Sequence, residues 1–150
     1  MKPEETIDFH IRWTWAKISR MYNIEASKNG GTMSIGYVLL NIDKEGTPST
    51  QLGPRMGMEP TSLSRVLNTM EDQKLIVRRV DNKDRRVSRV FLTKKGEQMR
   101  EVSKGVVIKF NEKIRERISG KKLDAFFDVM QSISLILESE ELFESKHLAS

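Results

Sequence analysis

The sequence predicts a mainly α-helical fold that carries one small β-hairpin, and three observations support this prediction. Apolar residues recur at three- and four-residue spacing along most of the chain, which is typical of helices with one buried face. The segment from Val77 to Gly96 differs, because two short β-prone runs surround a polar turn. The order of patterns before it is helix, glycine-containing turn, helix. Together these patterns indicate a winged helix-turn-helix.

Two helices are expected at the start of the chain. The first is predicted from about Thr6 to Ser27, and Asn29-Gly30-Gly31 ends it. The second is predicted to begin with Ser34 as its cap and to stop at Glu45-Gly46. The apolar face of the first helix consists of Ile7, Ile11, Trp15, Ile18 and Tyr22.

The helix-turn-helix is expected to follow. Ser49 is predicted to cap a short helix that Gly57 closes, with Pro54 inside it, where a proline normally kinks or ends a helix. Pro60 then occupies the first turn of the next helix, where its missing N–H costs nothing. The inward stripe of that helix consists of Leu63, Val66, Leu67 and Met70.

The hairpin and two further helices complete the prediction. The strands are expected at Leu75–Val80 and Val87–Leu92, joined by the turn Asp81-Asn82-Lys83-Asp84. Thr93 is predicted to cap a long helix that breaks at Ser119-Gly120, and a last apolar helix follows.

Composition excludes several classes of protein. One hundred and fifty residues with 37% hydrophobic and 31% charged side chains indicate one globular domain, and no stretch approaches the roughly 20 uncharged apolar residues of a membrane span. The N-terminus has no secretory pattern, so a cytoplasmic location is expected. There is no cysteine, and His10 and His147 lie near opposite ends. We therefore expect no catalytic residues, no metal site and no enzyme activity.

The positive charge is concentrated in the middle of the chain. Between Ser49 and Lys95 there are eleven lysines and arginines against five acids, whereas the remaining residues hold fifteen basic and sixteen acidic groups. This distribution is typical of a surface that contacts a phosphate backbone, with near-neutral flanks available for another task.

Two groups of residues are candidates for contact with double-stranded DNA. Short polar side chains and an arginine at the start of a helix suit entry into the major groove. In the hairpin, Asp84 is close enough to Arg86 to orient its guanidinium toward a narrow minor groove. The helix candidates are Pro60, Thr61, Ser62, Ser64, Arg65 and Asn68, and the hairpin candidates are Lys83, Asp84, Arg85, Arg86 and Arg89.

The span from Ile35 to Lys104 resembles the MarR family of winged helix-turn-helix transcriptional regulators. The resemblance is carried by SLSRVLNTMEDQKLIVR and DNKDRRVSRVFLTKKGEQM. The family's wing signature, Asp-x-Arg and then Leu-Thr-x-x-Gly, falls on Asp84, Arg86, Leu92, Thr93 and Gly96. Lys74 departs from the pattern, because the family often has glycine there, so the exit of the preceding helix is expected to differ in shape.

The resemblance implies an architecture and a set of partners. The chain is expected to be a single MarR-type domain over 1–150, with a DNA-binding lobe at 33–97 and dimerisation helices at 1–30 and 98–150. Such a homodimer binds a pseudo-palindromic operator, as a bacterial repressor that responds to a ligand. The resemblance implies no cofactor other than a small aromatic or phenolic anionic effector, for which the candidate residues are His10, Arg12, Trp13 and Tyr37.

Two alternative functions remain open from the sequence. A winged helix also serves as an RNA-binding or protein-docking module, which would show no preference for a duplex palindrome. A DNA-binding protein of this outline can also act without any ligand. The hydroxyl groups and Arg65 of the predicted helix, together with the Asp84–Arg86 pair, favour duplex DNA.

Overall fold

The structure, a computed structural model, describes residues 1–139 and 142–143. A short 3₁₀ turn at Pro3–Glu5 precedes the first helix. The helices are α1 (Ile7–Ser27), α2 (Met33–Asn41), α3 (Ser49–Met56), α4 (Pro60–Asp72), α5 (Lys94–Arg115) and α6 (Gly120–Ser139). The strands are β1 (Thr47–Pro48), β2 (Ile76–Val80) and β3 (Ser88–Leu92). The predicted fold, mainly helical with a small hairpin wing, is confirmed.

The described residues fall into two compact units. The first, Met1–Ile108, contains α1 to α4, all three strands and the first part of α5. The second begins at Lys109 and contains the end of α5 and the whole of α6. The predicted division into a lobe at 33–97 and flanking dimerisation helices stays a prediction, and its residues 140–141 and 144–150 lie outside the described part.

The hydrophobic core is formed mainly by α2, the helix-turn-helix (α3 and α4) and the sheet. Apolar burial of this kind contributes roughly 1.5–3 kcal/mol for each large side chain. By contrast, neither α1 nor α6 has a fully buried residue. The core consists of Ile35, Val38, Leu39, Ile42, Leu52, Leu63, Leu67, Met70, Leu75, Ile76 and Val90.

The sheet has three antiparallel strands in the order β1-β3-β2. In the hairpin, Arg78 pairs with Val90 and Arg79 with Arg89, while Thr47 of β1 also pairs with Val90. The sequence did not predict β1, because two residues that include a proline carry no alternating pattern. We use the term wing for residues 76–92.

Helix starts differ from the predictions at two of three positions. The cap of α2 is Thr32, whose Oγ1 accepts a hydrogen bond from the Ile35 N–H at 3.2 Å, so the Ser34 prediction was wrong. Ser49 is the first residue inside α3, after Pro48 at the cap position, and was also assigned wrongly. Thr93 is confirmed as a cap, since its Oγ1 accepts from the Gly96 N–H at 3.0 Å.

Two predictions about helix breakers have mixed outcomes. Pro54 lies inside α3, which ends two residues later at Met56, and Gly57 then adopts a left-handed φ of 61°. Ser119-Gly120 was predicted to end α5, but Gly120 does not directly follow the end of that helix. It begins α6, while α5 has already ended at Arg115.

The exit of α4 has a left-handed conformation at Lys74, with a φ of 59°. The Leu75 N–H donates to the Met70 carbonyl and the Lys74 N–H to the Glu71 carbonyl, both at 2.9 Å. This pair of bonds is the Schellman arrangement, in which glycine is the usual left-handed residue. The exit therefore keeps the shape that glycine favours, and the expected difference in shape was wrong.

The start of α5 packs directly against this exit. Thr93 Oγ1 donates to the Lys74 carbonyl at 2.6 Å, and the Thr93 N–H donates to the Leu75 carbonyl at 3.0 Å. A Cβ atom on Gly96 would lie 2.0 Å from the Leu75 carbonyl oxygen. The threonine and glycine of the Leu-Thr-x-x-Gly motif therefore join α5 to the end of α4 and the start of β2.

Candidate nucleic-acid interface

The outward face of α4 carries all six helix residues that the sequence predicted as a contact surface. Leu63, Leu67 and Met70 are buried on the opposite face, which fixes the rotation of the helix about its axis. The exposed residues are Pro60, Thr61, Ser62, Ser64, Arg65 and Asn68.

The N-terminus of α4 adds backbone donors to this face. The first N–H groups of an α-helix have no partner within the helix and carry the positive end of its dipole. Pro60 is the first helical residue, so the available donors are those of the exposed residues Thr61 and Ser62. Hydroxyl groups and backbone donors at one helix end can bind phosphate oxygens.

Arg78 of β2 connects the wing to the outward face of α4, and the sequence analysis did not identify it. Its Nε donates to Glu71 Oε2 at 2.9 Å, and its Nη2 donates to Asn68 Oδ1. The bond to Asn68 fixes the orientation of that side-chain amide. The bond to Glu71 compensates the negative charge of that side chain on α4. The sequence gives no signal for the contact between Arg78 and Asn68, because these residues are ten positions apart and come together only when β2 packs beside α4 in the folded protein.

The predicted ion pair of the wing turn is confirmed. Arg86 Nε donates to Asp84 Oδ1 at 3.2 Å, and the Arg86 backbone N–H donates to the same oxygen at 3.0 Å. The side-chain bond and then the backbone bond from Arg86 hold the pKa of Asp84 below its ordinary value. The Arg86 side chain is 91% exposed, so the carboxylate orients it while it stays open to solvent.

Asp81 organises the base of the wing turn. Its Oδ1 accepts from the backbone N–H groups of Lys83 at 2.7 Å and of Asp84 at 3.3 Å, and its Oδ2 accepts from Arg89 Nη2 at 3.0 Å. These bonds, led by the one from Lys83, lower the pKa of the buried Asp81 carboxyl. The carboxylate therefore stabilises the turn in its ionised form.

Arg89, predicted to contact DNA, is engaged within the protein. Besides its bonds to Asp81, its Nη1 donates to the Gly46 carbonyl at 2.9 Å, and its side chain is only 28% exposed. Lys83 and Arg85, the other basic residues predicted for the wing turn, are exposed. The structure thus places Lys83, Arg85 and Arg86 on the surface and gives Arg89 a role in joining the wing to the loop before β1.

The four candidate effector residues do not come together. His10 Nε2 lies 2.7 Å from the Glu4 carbonyl, Arg12 pairs with Asp8 at 3.4 Å, and Trp13 is exposed, all on or next to the surface of α1. Tyr37 lines a cavity that contains none of the other three. That cavity, about 50 Å³ in volume, lies within the first unit between α1, α2 and α5.

Aromatic and apolar side chains dominate this cavity. The rings of Tyr22 and Tyr37 meet edge to face at 6.4 Å, and Trp15, which does not line the cavity, stacks on Tyr37 at 6.3 Å. Burial raises the pKa of Tyr37, and burial together with the neighbouring Tyr37 raises that of Tyr22. Both phenols are therefore protonated at neutral pH. The remaining walls include Met33, Leu40, Met99, Val102 and Val106.

Other kinds of site are missing from the described part of the chain. Residues 1–139 and 142–143 contain no group of three or more histidine, aspartate or glutamate side chains that could hold a metal ion. Within the same residues, no helix is long and apolar enough to cross a membrane.

Solved structures share this fold over most of their length. S. aureus MepR, solved in a complex with DNA, matches with a TM-score of 0.81 at 17% identity, over 88% of this chain and 98% of that chain. PcaV from Streptomyces coelicolor, solved with its natural ligand, matches with a TM-score of 0.77 at 18% identity, over 89% and 95%. CouR from Rhodococcus jostii RHA1, bound to p-coumaroyl-CoA, matches with a TM-score of 0.74 at 18% identity, over 96% and 99%.

The sequence itself matches a family model. The model of the MarR family covers residues 36–87, which extend from α2 through the helix-turn-helix to the end of the wing turn. At identities of 17–18%, the structural likenesses establish the common fold. The family match over residues 36–87 and the common fold together confirm the predicted resemblance to the MarR family of winged helix-turn-helix transcriptional regulators.

Proposed function

We propose that this protein binds double-stranded DNA in a sequence-specific manner as a homodimer and regulates transcription. The observation that carries the proposal is the pairing of two exposed basic elements in one compact unit. Arg65 lies on the outward face of α4, and Arg86 lies at the wing turn, oriented by Asp84. The solved DNA complex of MepR, which has the same fold, supports the proposal.

In this proposal α4 enters the major groove. Thr61, Ser62 and the helix N-terminus bind phosphates and fix the register, while Ser64 and Arg65 contact base edges. Asn68 is held by Arg78 through its carbonyl oxygen, which leaves its amide N–H groups directed away from that bond. Arg78 is therefore a positioning residue, and it also offsets the charge of Glu71 close to the DNA.

The wing turn enters the adjacent minor groove. Arg86 supplies the inserted guanidinium, and Lys83 and Arg85 contact the backbone on either side. Because Arg89 donates to Asp81 and Gly46, we assign it to support of the wing and not to direct contact with DNA.

Dimerisation through the terminal helices accounts for their apolar surface. Trp13, Trp15 and Ile24 are exposed on α1, and Phe126, Val129 and Leu137 are exposed on α6. Monomeric proteins rarely leave such areas uncovered. A two-fold dimer would present two α4 helices roughly 34–36 Å apart, which is one turn of DNA.

A small molecule that binds the protein would change its affinity for DNA, most simply as the inducer of a repressor. The ligand-bound structures of PcaV and CouR support this part of the proposal, and the cavity between α1, α2 and α5 is the candidate site. A ligand can shift the DNA-binding equilibrium only if it binds one conformation more tightly than the other.

Selection of bound sequences from a random duplex pool tests the proposal. We expect enrichment of two inverted half-sites whose centres are roughly 10–10.5 base pairs apart. A parallel selection from structured RNA serves as the control. Enrichment of RNA alone, or of no duplex sequence, would show that the winged helix serves another partner.

A further inference from the structure

We infer that Asn68 contacts a guanine in the bound half-site, because Arg78 occupies the carbonyl oxygen of its side chain. This inference rests on the proposed DNA-binding function and specifies one base of the sequence that is bound. The observation behind it is a chain of three side chains, Glu71, Arg78 and Asn68, that connects α4 to β2.

The position of Asn68 suits contact with a base edge. Asn68 lies three residues after Arg65 and four after Ser64, so the three exposed side chains share one face of α4. Leu63 and Leu67 are buried on the opposite face. Recognition helices contact bases with residues that extend over about two turns. Asn68 is therefore close enough to the predicted base contacts to add one of its own.

Hydrogen bonding determines which end of the Asn68 amide faces the wing. A guanidinium group donates hydrogen bonds and accepts none, so only the oxygen of an amide can bond to it. Arg78 Nη2 donates to Asn68 Oδ1, and Arg78 Nε donates to Glu71 Oε2 at 2.9 Å. These bonds hold the Arg78 side chain, which is 27% exposed, and they leave the amide N–H groups of Asn68 directed away from it.

Guanine is the base whose major-groove edge matches this arrangement. It presents two acceptors, N7 and O6, whereas adenine presents the N7 acceptor beside an N6 amino donor. The usual pairing of asparagine with adenine uses both the amide oxygen and the amide nitrogen. Here the oxygen of Asn68 already accepts from Arg78, and an amino group at its second lone pair would lie close to a positive guanidinium. Arg78 therefore disfavours adenine and favours the two acceptors of guanine.

The pyrimidines match the Asn68 amide less well, for separate reasons. Cytosine presents an N4 amino donor, which would meet the donors of the amide. Thymine presents one acceptor, O4, beside its methyl group. Guanine is the base that offers two acceptors, so we expect it to be preferred over all three other bases at this position.

A panel of duplexes tests the inference. The panel is built on the sequence that the native protein selects, with each of the four bases at every half-site position. Asn68→Ala identifies the contacted position as the one at which this variant loses its preference between bases. At that position, we expect the native protein to bind guanine roughly tenfold more tightly than adenine at a fixed salt concentration.

Arg78→Met tests the role of the arginine. Methionine keeps much of the length of the side chain but has neither donors nor charge, so the Asn68 oxygen becomes available to a base. We expect this variant to bind adenine at least as tightly as guanine at the contacted position. Arg79→Met is the matched control, because it removes the same charge from the next residue of β2, where the Arg79 guanidinium lies 5.5 Å from the centre of the Phe91 ring. It should change the affinity for all duplexes alike and keep the guanine preference.

A second variant does not depend on the stability of Arg78→Met. Asn68→Asp keeps an acceptor for Arg78 but has no donor, so it should lose the guanine preference. Circular dichroism shows whether each variant is folded. The base preference of the native protein is measured independently of all of them.

The outcomes separate this inference from the proposed function. A selected sequence with adenine or no preferred base at the Asn68 position, or with no position that Asn68→Ala affects, would overturn the inference while supporting specific DNA binding. So would a guanine preference that persists in folded Arg78→Met or Asn68→Asp, or that disappears equally in Arg79→Met. Selection of no duplex sequence would refute the DNA-binding proposal and the inference with it.

Discussion

At the scale of single residues, the backbone conformation of Lys74 lowers the free energy of unfolding. Its left-handed φ is unfavourable by roughly 1–2 kcal/mol for a residue with a Cβ. Glycine removes that cost but adds conformational entropy to the unfolded chain, worth roughly 0.4–1 kcal/mol. We therefore expect Lys74→Gly to raise the free energy of unfolding by about 0.5–1 kcal/mol, measured by urea denaturation.

The matched control for this change is Lys74→Ala. Alanine removes the same positive charge but keeps a Cβ, so the left-handed conformation stays unfavourable. If alanine stabilises the protein as much as glycine does, the gain comes from the charge and the backbone explanation fails.

Arg65 is the residue we expect to discriminate between DNA sequences. If its guanidinium contacts a base edge, Arg65→Ala should reduce the preference for the selected site over its single-base variants by roughly 1–3 kcal/mol at the contacted position. Competition binding on a panel of mutated duplexes measures this loss. An unchanged order of preference would place Arg65 on the phosphate backbone instead.

Arg86 should behave differently, because its contact in the minor groove is mostly electrostatic. Arg86→Ala is expected to weaken binding to selected and random duplexes alike and to lower the slope of log affinity against log salt by about one. Arg12→Ala is the control, since Arg12 is also an exposed arginine paired with an aspartate, but on α1. Equal effects of the two substitutions would mean that only net charge matters.

At the scale of elements, the wing turn depends on the ionised form of Asp81. Its pKa in the folded protein lies below the ordinary value of 3.8, chiefly because the Lys83 N–H donates to it. Its ionised form therefore stabilises the fold fully above that ordinary value, and the contribution is lost as the pH falls through the folded-state pKa. We expect the stability of the native protein to fall more steeply below pH 4 than that of Asp81→Asn.

Thermal unfolding of both proteins between pH 6 and 3 measures this difference. Asp43 and Asp84 also have lowered pKa values and titrate in both proteins. The charge of Asp81 raises the pKa of Asp84, so the difference between the two curves reports Asp81 together with this smaller coupling. Parallel curves would show that Asp81 is not linked to folding.

The elements also show why some features were predictable and others were not. The Asp84–Arg86 pair spans two residues, so local spacing was enough to predict it. The bonds of Arg89 to Asp81 and Gly46, and of Arg78 to Asn68, depend on the register of β2 and β3 and on the packing of the strands beside other elements. Local patterns predicted the buried face of α4, but they do not determine strand register or the packing between elements, so these connections emerged only from the three-dimensional fold.

The prediction of the α2 cap was wrong for a related reason. The sequence around residue 33 offers two hydroxyl residues as caps for α2, Thr32 and Ser34. Either satisfies the capping preference, and only the path of the chain selects one of them. The long amphipathic helices, by contrast, were predicted well because their periodicity extends over several turns.

At the scale of the whole molecule, the apolar surfaces of α1 and α6 predict a second copy of the chain. Leu137 on α6 is 64% exposed, as is expected of a side chain that a partner covers. We predict that Leu137→Lys shifts the protein from dimer toward monomer at micromolar concentration, because it would place an ammonium group in an apolar interface. Sedimentation equilibrium measures the change in mass.

Val80→Lys is the matched control, because Val80 is 62% exposed but lies on the wing strand β2. It adds the same charge at nearly equal exposure, so it should leave the association unchanged. Loss of the dimer in both variants would point to general repulsion between like-charged chains. A native protein that sediments as a stable monomer would contradict the dimer, and with it the expected spacing of two half-sites on DNA.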